Sequence, residues 1–433
     1  MLAPVRSDPA SLKRLAVIDG LRGTAILMVL GFHLWGLLPG LSGGKATAQL
    51  DVHLARLFGV GWAGVDLFFV VSGFLLTGNL YDARGSATYF RSFYARRFLR
   101  VFPLYYVFLA VLLFVVPLFS SLATLQIEAL RKVQMYFWTY TVNIAGSFRA
   151  TANGIPLAYT HIWSLCVEEQ FYLIWPSIVL YGGDRRRLTR VFLALMAVAL
   201  VTRFVLTLDA FSGVLGPTAP YSLLPCRMDS FAFGGYLALV LRGDSAEIAR
   251  IRRLAPVLVG GAFVGLGTIF LAQQGLRPLG RLQATVDFPL LALGFGGLLV
   301  MVLDSKPQSA WRMVFASRPL KTVATYSYGL YVVHLVAAFA LIPYVGHTWW
   351  TNPVRGSLVF ANLGFTLLAS GASLFLAWVS WHLLEKRAIA LKRYVPYGAP
   401  PAPAATQNSQ PLSGEHALRS EEKGASESTR QAR

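Results

Sequence analysis

Apolar stretches long enough to cross a bilayer recur along the whole chain, and this recurrence constrains the fold more than any other feature. A hydrocarbon core about 30 Å thick needs about 20 predominantly apolar residues in a helix. Ten stretches approach that length: Ala16–Leu38, Phe58–Leu80, Val101–Phe119, His161–Tyr181, Leu188–Leu208, Arg227–Leu241, Leu254–Gln273, Ala284–Leu303, Thr322–Val345 and Ser357–Leu384. A helix satisfies all its backbone polar groups within one segment, as lipid requires. The expected fold is therefore an all-α, polytopic membrane protein of about ten transmembrane helices. Val133–Phe148 is short and polar, and is expected to be interfacial or re-entrant instead of an eleventh crossing.

Composition agrees. Of 433 residues, 55% are hydrophobic and 14% charged, with a mean hydropathy of +0.55. A soluble domain carries about 25% charged residues, so lipid must cover much of this surface. The net charge of +19 does not indicate nucleic acid, because the basic residues sit in short clusters between apolar runs. With both termini cytoplasmic, the inner connections hold twenty-four arginines and lysines and the outer ones nine, counting Arg227 among the outer. That asymmetry orients the chain across its membrane with both termini inside, and an eleventh crossing at Val133–Phe148 would destroy it.

The first stretch contains Asp19 and Arg22 and lacks a small-residue cleavage site, so it is expected to be a retained helix and not a leader. Cys166 and Cys226 are read as packing residues, with neither a disulfide nor a metal site expected. Paired glycines such as Gly234–Gly235 and Gly296–Gly297 suit close helix packing. Residues 1–394 form the expected membrane domain. From Val395 to Arg433 the chain turns to Pro, Ala, Ser, Gln and Glu, the composition of a disordered cytoplasmic tail.

Ionisable residues inside apolar stretches are costly there, which makes them the candidates for function. Arg22 and His33 lie eleven positions apart, so a helix brings them to within about 20° on one face, about 16 Å apart along the axis. Asp66 stands in "GVDLFFVVSGFLL", and Glu168 and Glu169 in "HIWSLCVEEQFYLIWP". Glu168 shares a face with His161, seven residues earlier, and with Tyr172, four later. A rise of 1.5 Å per residue puts His33, Glu168 and Asp66 roughly 8, 10 and 12 Å below the outer surface, with Asp229 near the same level. A histidine and several carboxylates at one depth suit general acid–base chemistry, although depth does not establish adjacency. Arg96, Arg97 and Arg100 cluster at the inner end of the third stretch. They suit either a phosphate or a positive-inside anchor.

Six strings, "DGLRGTAILMVLGFH", "GVDLFFVVSGFLL", "RRFLRVFPLYY", "HIWSLCVEEQFYLIWP", "RMDSFAFGG" and "YSYGLYVVHL", occur in that order between Asp19 and Glu385. In this the chain resembles the bacterial acyltransferase-three family of integral membrane O-acyltransferases. The resemblance implies ten helices and an acyl-CoA donor, acetyl-CoA as the expected one, arriving from the cytoplasm as co-substrate with no bound cofactor. It implies a catalytic His33 with Arg22 eleven positions before it, a basic Arg-x-x-Arg element at Arg97 and Arg100, and an acidic pair at Glu168 and Glu169. Cys166 stands where a serine is usual. The chain is expected to lack the extracytoplasmic esterase-like domain of some members.

On this reading Arg96, Arg97 and Arg100 hold the donor's phosphates, and His33 takes the proton of an acceptor hydroxyl. Glu168 or Asp66 orients the imidazole, and Arg22 binds the donor or stabilises negative charge. Glu169, Trp163, Tyr172 and Asp229 are expected to bind substrate, with Trp175 a further aromatic candidate. The expected acceptor is a hydroxyl of a cell-envelope sugar, a glycolipid or a glycosylated metabolite. An alternative is a transporter or flippase of a glycan or acyl donor, since intramembrane charges also mark transport paths. It is disfavoured by the absence of a detectable repeat.

Overall fold

The computed structural model describes residues 9–41, 48–119, 125–276, 280, 283–345, 354 and 356–396. The expected tail beyond residue 396 lies outside them. The described chain is helical, with isolated β-bridges and no strand. Ten long helices occupy the expected stretches: α1 (Pro9–Leu41), α2 (Gly64–Asp82), α3 (Tyr89–Ala110), α4 (Trp163–Tyr181), α5 (Arg185–Leu206), α6 (Leu224–Val240), α7 (Ser245–Gln273), α8 (Phe288–Asp304), α9 (Arg318–Val345) and α10 (Val359–Ser380). The chain is an all-α polytopic membrane protein.

Eight of the ten are long and apolar enough to cross a bilayer by length and composition. The exceptions are α4, which carries Glu168 and Glu169, and α6, which is 17 residues long and carries Arg227 and Asp229. Nearly every residue of α6 is buried, and α4 buries most of its first half while Leu173, Ile174 and Tyr181 stay exposed. A helix surrounded by other helices needs no apolar face toward lipid, and its polar side chains find partners on its neighbours. The opposite case is α7, whose Val257, Phe263, Val264 and Leu271 are exposed for lipid to cover.

The centre is built by α1, α2, α6 and α9. α6 packs along α2 and α5, α1 runs beside α9 and α2, and α8 closes against α7 and α6. The α2–α6 crossing depends on glycine. A Cβ on Gly73 would lie 2.0 Å from the Phe231 carbonyl oxygen, and one on Gly234 2.0 Å from that of Val70. Each helix thus accepts the other's backbone where only hydrogen fits.

The segment expected to be interfacial forms two short helices, Ile127–Trp138 and Val142–Ser147, broken at Tyr140 by a left-handed backbone with φ of 53°. Twelve residues rise about 18 Å, too short to cross. After α10 the chain continues helically through a π-helical turn, Trp381–Glu385, into the short helix Lys386–Ala390 and the turn Leu391–Tyr394, all of which pack on α3.

Candidate active site

A cavity of about 240 Å³ opens between α1, α2, α3, α4 and α9. Four cations stand at one end: Arg22 of α1, Arg97 and Arg100 of α3, and Lys392 of the terminal turn. Arg97 and Arg100 share a face because three residues make nearly one helical turn. The Arg97 guanidinium lies 5.1 Å from the Tyr172 ring centre and that of Arg100 6.0 Å from Tyr328. Such stacking holds a guanidinium with its donor edge free. Arg22 donates to Ser327 Oγ over 3.2 Å and faces Asp19 at 3.7 Å.

Glu168 projects into the middle of the cavity, accepting hydrogen bonds from Ser72 Oγ at 2.8 Å and from the Tyr172 hydroxyl. The far end is closed by Ser164 and Tyr331, whose hydroxyls bond each other. Tyr331 also donates to the His161 carbonyl at 2.9 Å.

Directly beyond that pair lie three histidines. His33 of α1 and His334 of α9 share a hydrogen bond of 3.0 Å between Nδ1 and Nε2. The His161 ring centre lies 4.7 Å from that of His334 and 6.3 Å from that of His33. His161 and His334 are fully buried, whereas His33 retains some accessible surface. The Tyr331 ring is 5.7 Å from both His161 and His334, so the residue that ends the cavity also packs on the cluster. Arg22 and His33 both reach α9, at Ser327 and His334, so their shared face on α1 is the one packed against that helix. Among the described residues no set of three His, Cys, Asp or Glu side chains is arranged to hold a metal ion.

Several residues expected at the site stand elsewhere. Asp66 is buried, paired with Arg227 at 2.6 Å and bonded by Ser230 Oγ at 2.9 Å. Asp229 pairs with Arg203 at 2.7 Å. Arg227, counted above as an outer-loop cation, is fully buried among Phe288, Tyr221, Phe69 and Trp163, with the Phe288 ring centre 4.1 Å away. These two pairs bind α2, α5 and α6 together and do not line the cavity. Equal depth had suggested one cavity, but the helices turn these carboxylates to a different side. Neither Glu168 nor Asp66 orients His33: no hydrogen bond or ion pair joins a carboxylate to that ring among the described residues, and the partner is His334. Arg96 also differs from expectation, donating to the carbonyls of Lys392 at 3.2 Å and Val395 at 3.1 Å outside the cavity lining. Glu169 and Trp163 are not part of that lining, Trp163 packing on Tyr221 with ring centres 4.6 Å apart. Trp175 is core, donating to Thr77 Oγ1 at 2.8 Å.

Ser72, Ser164, Tyr328, Tyr331, His334 and Lys392 were not singled out for a site. The signal for three of them lay in "YSYGLYVVHL", where Tyr328, Tyr331 and His334 recur every three residues along one side of α9. Lys392 lies beyond the last apolar stretch, and nothing in its surroundings reveals that it meets the cavity.

A family model described as an acyltransferase domain matches residues 15–382. The chain is 26% identical over 400 residues to the peptidoglycan O-acetyltransferase OatA of Listeria monocytogenes, covering 88% of this chain and 56% of the relative. It is 28% identical to the putative peptidoglycan O-acetyltransferase YrhL of Bacillus subtilis, covering 81% and 54% respectively. It is 25% identical to the O-acetyltransferase OatA of Staphylococcus aureus, covering 69% and 50%. The chain thus spans about half the length of the curated relatives it matches. No solved structure matches.

Proposed function

Because this chain belongs to the acyltransferase family, we propose that it moves an acetyl group from acetyl-CoA onto a hydroxyl of a cell-envelope glycan at the bacterial cytoplasmic membrane. One observation carries the reading: four cations and a hydrogen-bonded carboxylate line one cavity, and a three-histidine cluster packs directly behind the Ser164–Tyr331 pair that closes it. The basic end suits the polyanionic part of a coenzyme A thioester, and arginine forks suit its phosphates. With the buried Arg227 removed from the outer count, twenty-four inner basic residues against eight outer ones support a cytoplasmic position for that end. The relatives' names support an envelope glycan as acceptor.

In the proposed reaction Arg97, Arg100 and Lys392 hold the donor's phosphates, and its narrow arm runs past Glu168 toward Ser164 and Tyr331. His33 takes the proton from the acceptor hydroxyl as its oxygen attacks the thioester carbonyl carbon. The carbon–oxygen bond forms, the carbon–sulfur bond breaks, and the proton passes to the departing thiolate, giving an ester and free coenzyme A thiol. Positioned proton transfer contributes about 10²–10⁴-fold. His33→Ala should therefore lower thiol release from acetyl-CoA, assayed with a soluble peptidoglycan fragment, by at least about 10²-fold without loss of membrane insertion. Near wild-type turnover by a folded His33→Ala protein removes the assignment.

A further inference from the structure

Only one nitrogen of a neutral imidazole carries a lone pair, and the hydrogen bonds of the other decide which it is. At His334 the choice is forced. Its Nδ1 lies 2.8 Å from the Tyr331 carbonyl oxygen and 3.1 Å from that of Leu330. Carbonyl oxygens only accept, so Nδ1 bears the hydrogen. The ring is fully buried, and no carboxylate pairs with a histidine among the described residues. A second proton would place an unpaired cation in the interior, which is strongly unfavourable. Nε2 of His334 is therefore an acceptor.

That nitrogen lies 3.0 Å from His33 Nδ1. Two facing lone pairs repel, so His33 must supply the hydrogen from Nδ1.

We propose that His334 is a positioning residue that holds His33 as its Nδ1–H tautomer and leaves Nε2 as the basic nitrogen. His334 does from α9 what a carboxylate does beside many catalytic histidines, but as a neutral acceptor. The polarity runs one way: backbone carbonyls of α9 fix His334, His334 fixes His33, and the lone pair emerges on the side away from α9. The inference rests on His33 being the base, but its central claim, the location of one proton, can be measured without turnover.

The full chain, labelled with ¹⁵N-histidine and reconstituted in nanodiscs, gives separate signals for protonated and lone-pair ring nitrogens. The His33 signals are assigned by their loss in His33→Gln. Wild type should show the proton on Nδ1, and His334→Leu should release His33 into a mixture with the Nε2–H form. A wild-type proton on Nε2 overturns the proposal. So does an unchanged Nδ1–H in His334→Leu, because His334 would then not be what holds the proton there.

Kinetics give the second readout. His334→Leu should lower kcat by about 10–100-fold, the range found for partners that orient a functional histidine, with the KM for acetyl-CoA unchanged. His334→Gln places an amide oxygen near the former Nε2 and should recover most of that loss. If the leucine variant does not fold, the wild-type spectrum and the glutamine variant still decide: glutamine losing as much kcat as His33→Ala overturns the proposal. Full activity of His33→Ala would instead remove the base assignment while leaving the tautomer measurement valid.

Discussion

Arg97 and Arg100 distinguish two explanations that agree on charge and differ on geometry. If they only anchor α3 at the basic end, lysine should serve equally well. If they grip phosphates with two-pronged donors while stacked on Tyr172 and Tyr328, Arg97→Lys and Arg100→Lys should each raise the KM for acetyl-CoA. The alanine variants should raise it further, while acceptor KM stays within about twofold. Unchanged donor constants in all four proteins would leave only the anchoring role. A buried pair gives a contrasting result: Asp66→Asn or Arg227→Leu strands one polar partner in the interior, at a cost of about 3–5 kcal/mol. The expected outcome is loss of folded protein in detergent thermal melts, with no selective effect on KM. Most of this distinction was illegible in the sequence. Asp66 and Glu168 both read as buried acids at similar depth, and spacing along a helix reports height without reporting which neighbour a side chain meets. The Arg22–His33 face was legible, because both residues lie on one helix and angle follows from count.

Elements explain why the terminal turn matters. Ser92 Oγ donates to the Pro396 carbonyl at 2.9 Å, and Arg96 grips the carbonyls of Lys392 and Val395, so α3 fastens this terminal segment from one side. Lys392 meanwhile enters the cavity lining. Arg96→Ala should accordingly resemble Lys392→Ala, with donor KM raised a few-fold and kcat little changed, even though Arg96 is outside the lining. A donor KM unaffected by Arg96→Ala would show that the turn holds its place without that fastening. The α2–α6 crossing is the second element-scale dependency. Gly234→Leu must push a side chain into the Val70 carbonyl, and overpacking of that kind costs about 1–3 kcal/mol. Thermal melts should record it directly. The sequence pointed to this crossing through its paired glycines, whereas the packing of the segment after Glu385 on α3 has no compositional mark.

At the scale of the whole molecule, the ten apolar stretches predicted the ten long helices because bilayer thickness leaves few alternatives for such a chain. Their neighbours could not be read in the same way, since lipid-facing and helix-facing apolar residues look alike in one dimension. The orientation prediction follows from the basic-residue asymmetry: a reporter fused after Arg433 should be cytoplasmic and one inserted near Gly43, a position outside the described residues, extracytoplasmic. Both reporters on one side would contradict an odd number of crossings between them.

The Asp66–Arg227 pair has a consequence for the order of biogenesis. Its partners are roughly 160 residues apart in sequence, and at synthesis rates of about 5–20 residues per second the ribosome reaches Arg227 about 8–30 s after Asp66. Throughout that interval α2 carries an acid whose cation partner among the described residues does not yet exist. The early helices must therefore wait at the insertion machinery, or hold Asp66 protonated or hydrated, until α6 emerges. In nascent chains arrested before Arg227 a cysteine placed in α2 should still react with a water-soluble thiol reagent, and arrest beyond Val240 should protect it. Asp66→Leu should remove the delay, committing α2 to lipid before the second half of the protein has been made.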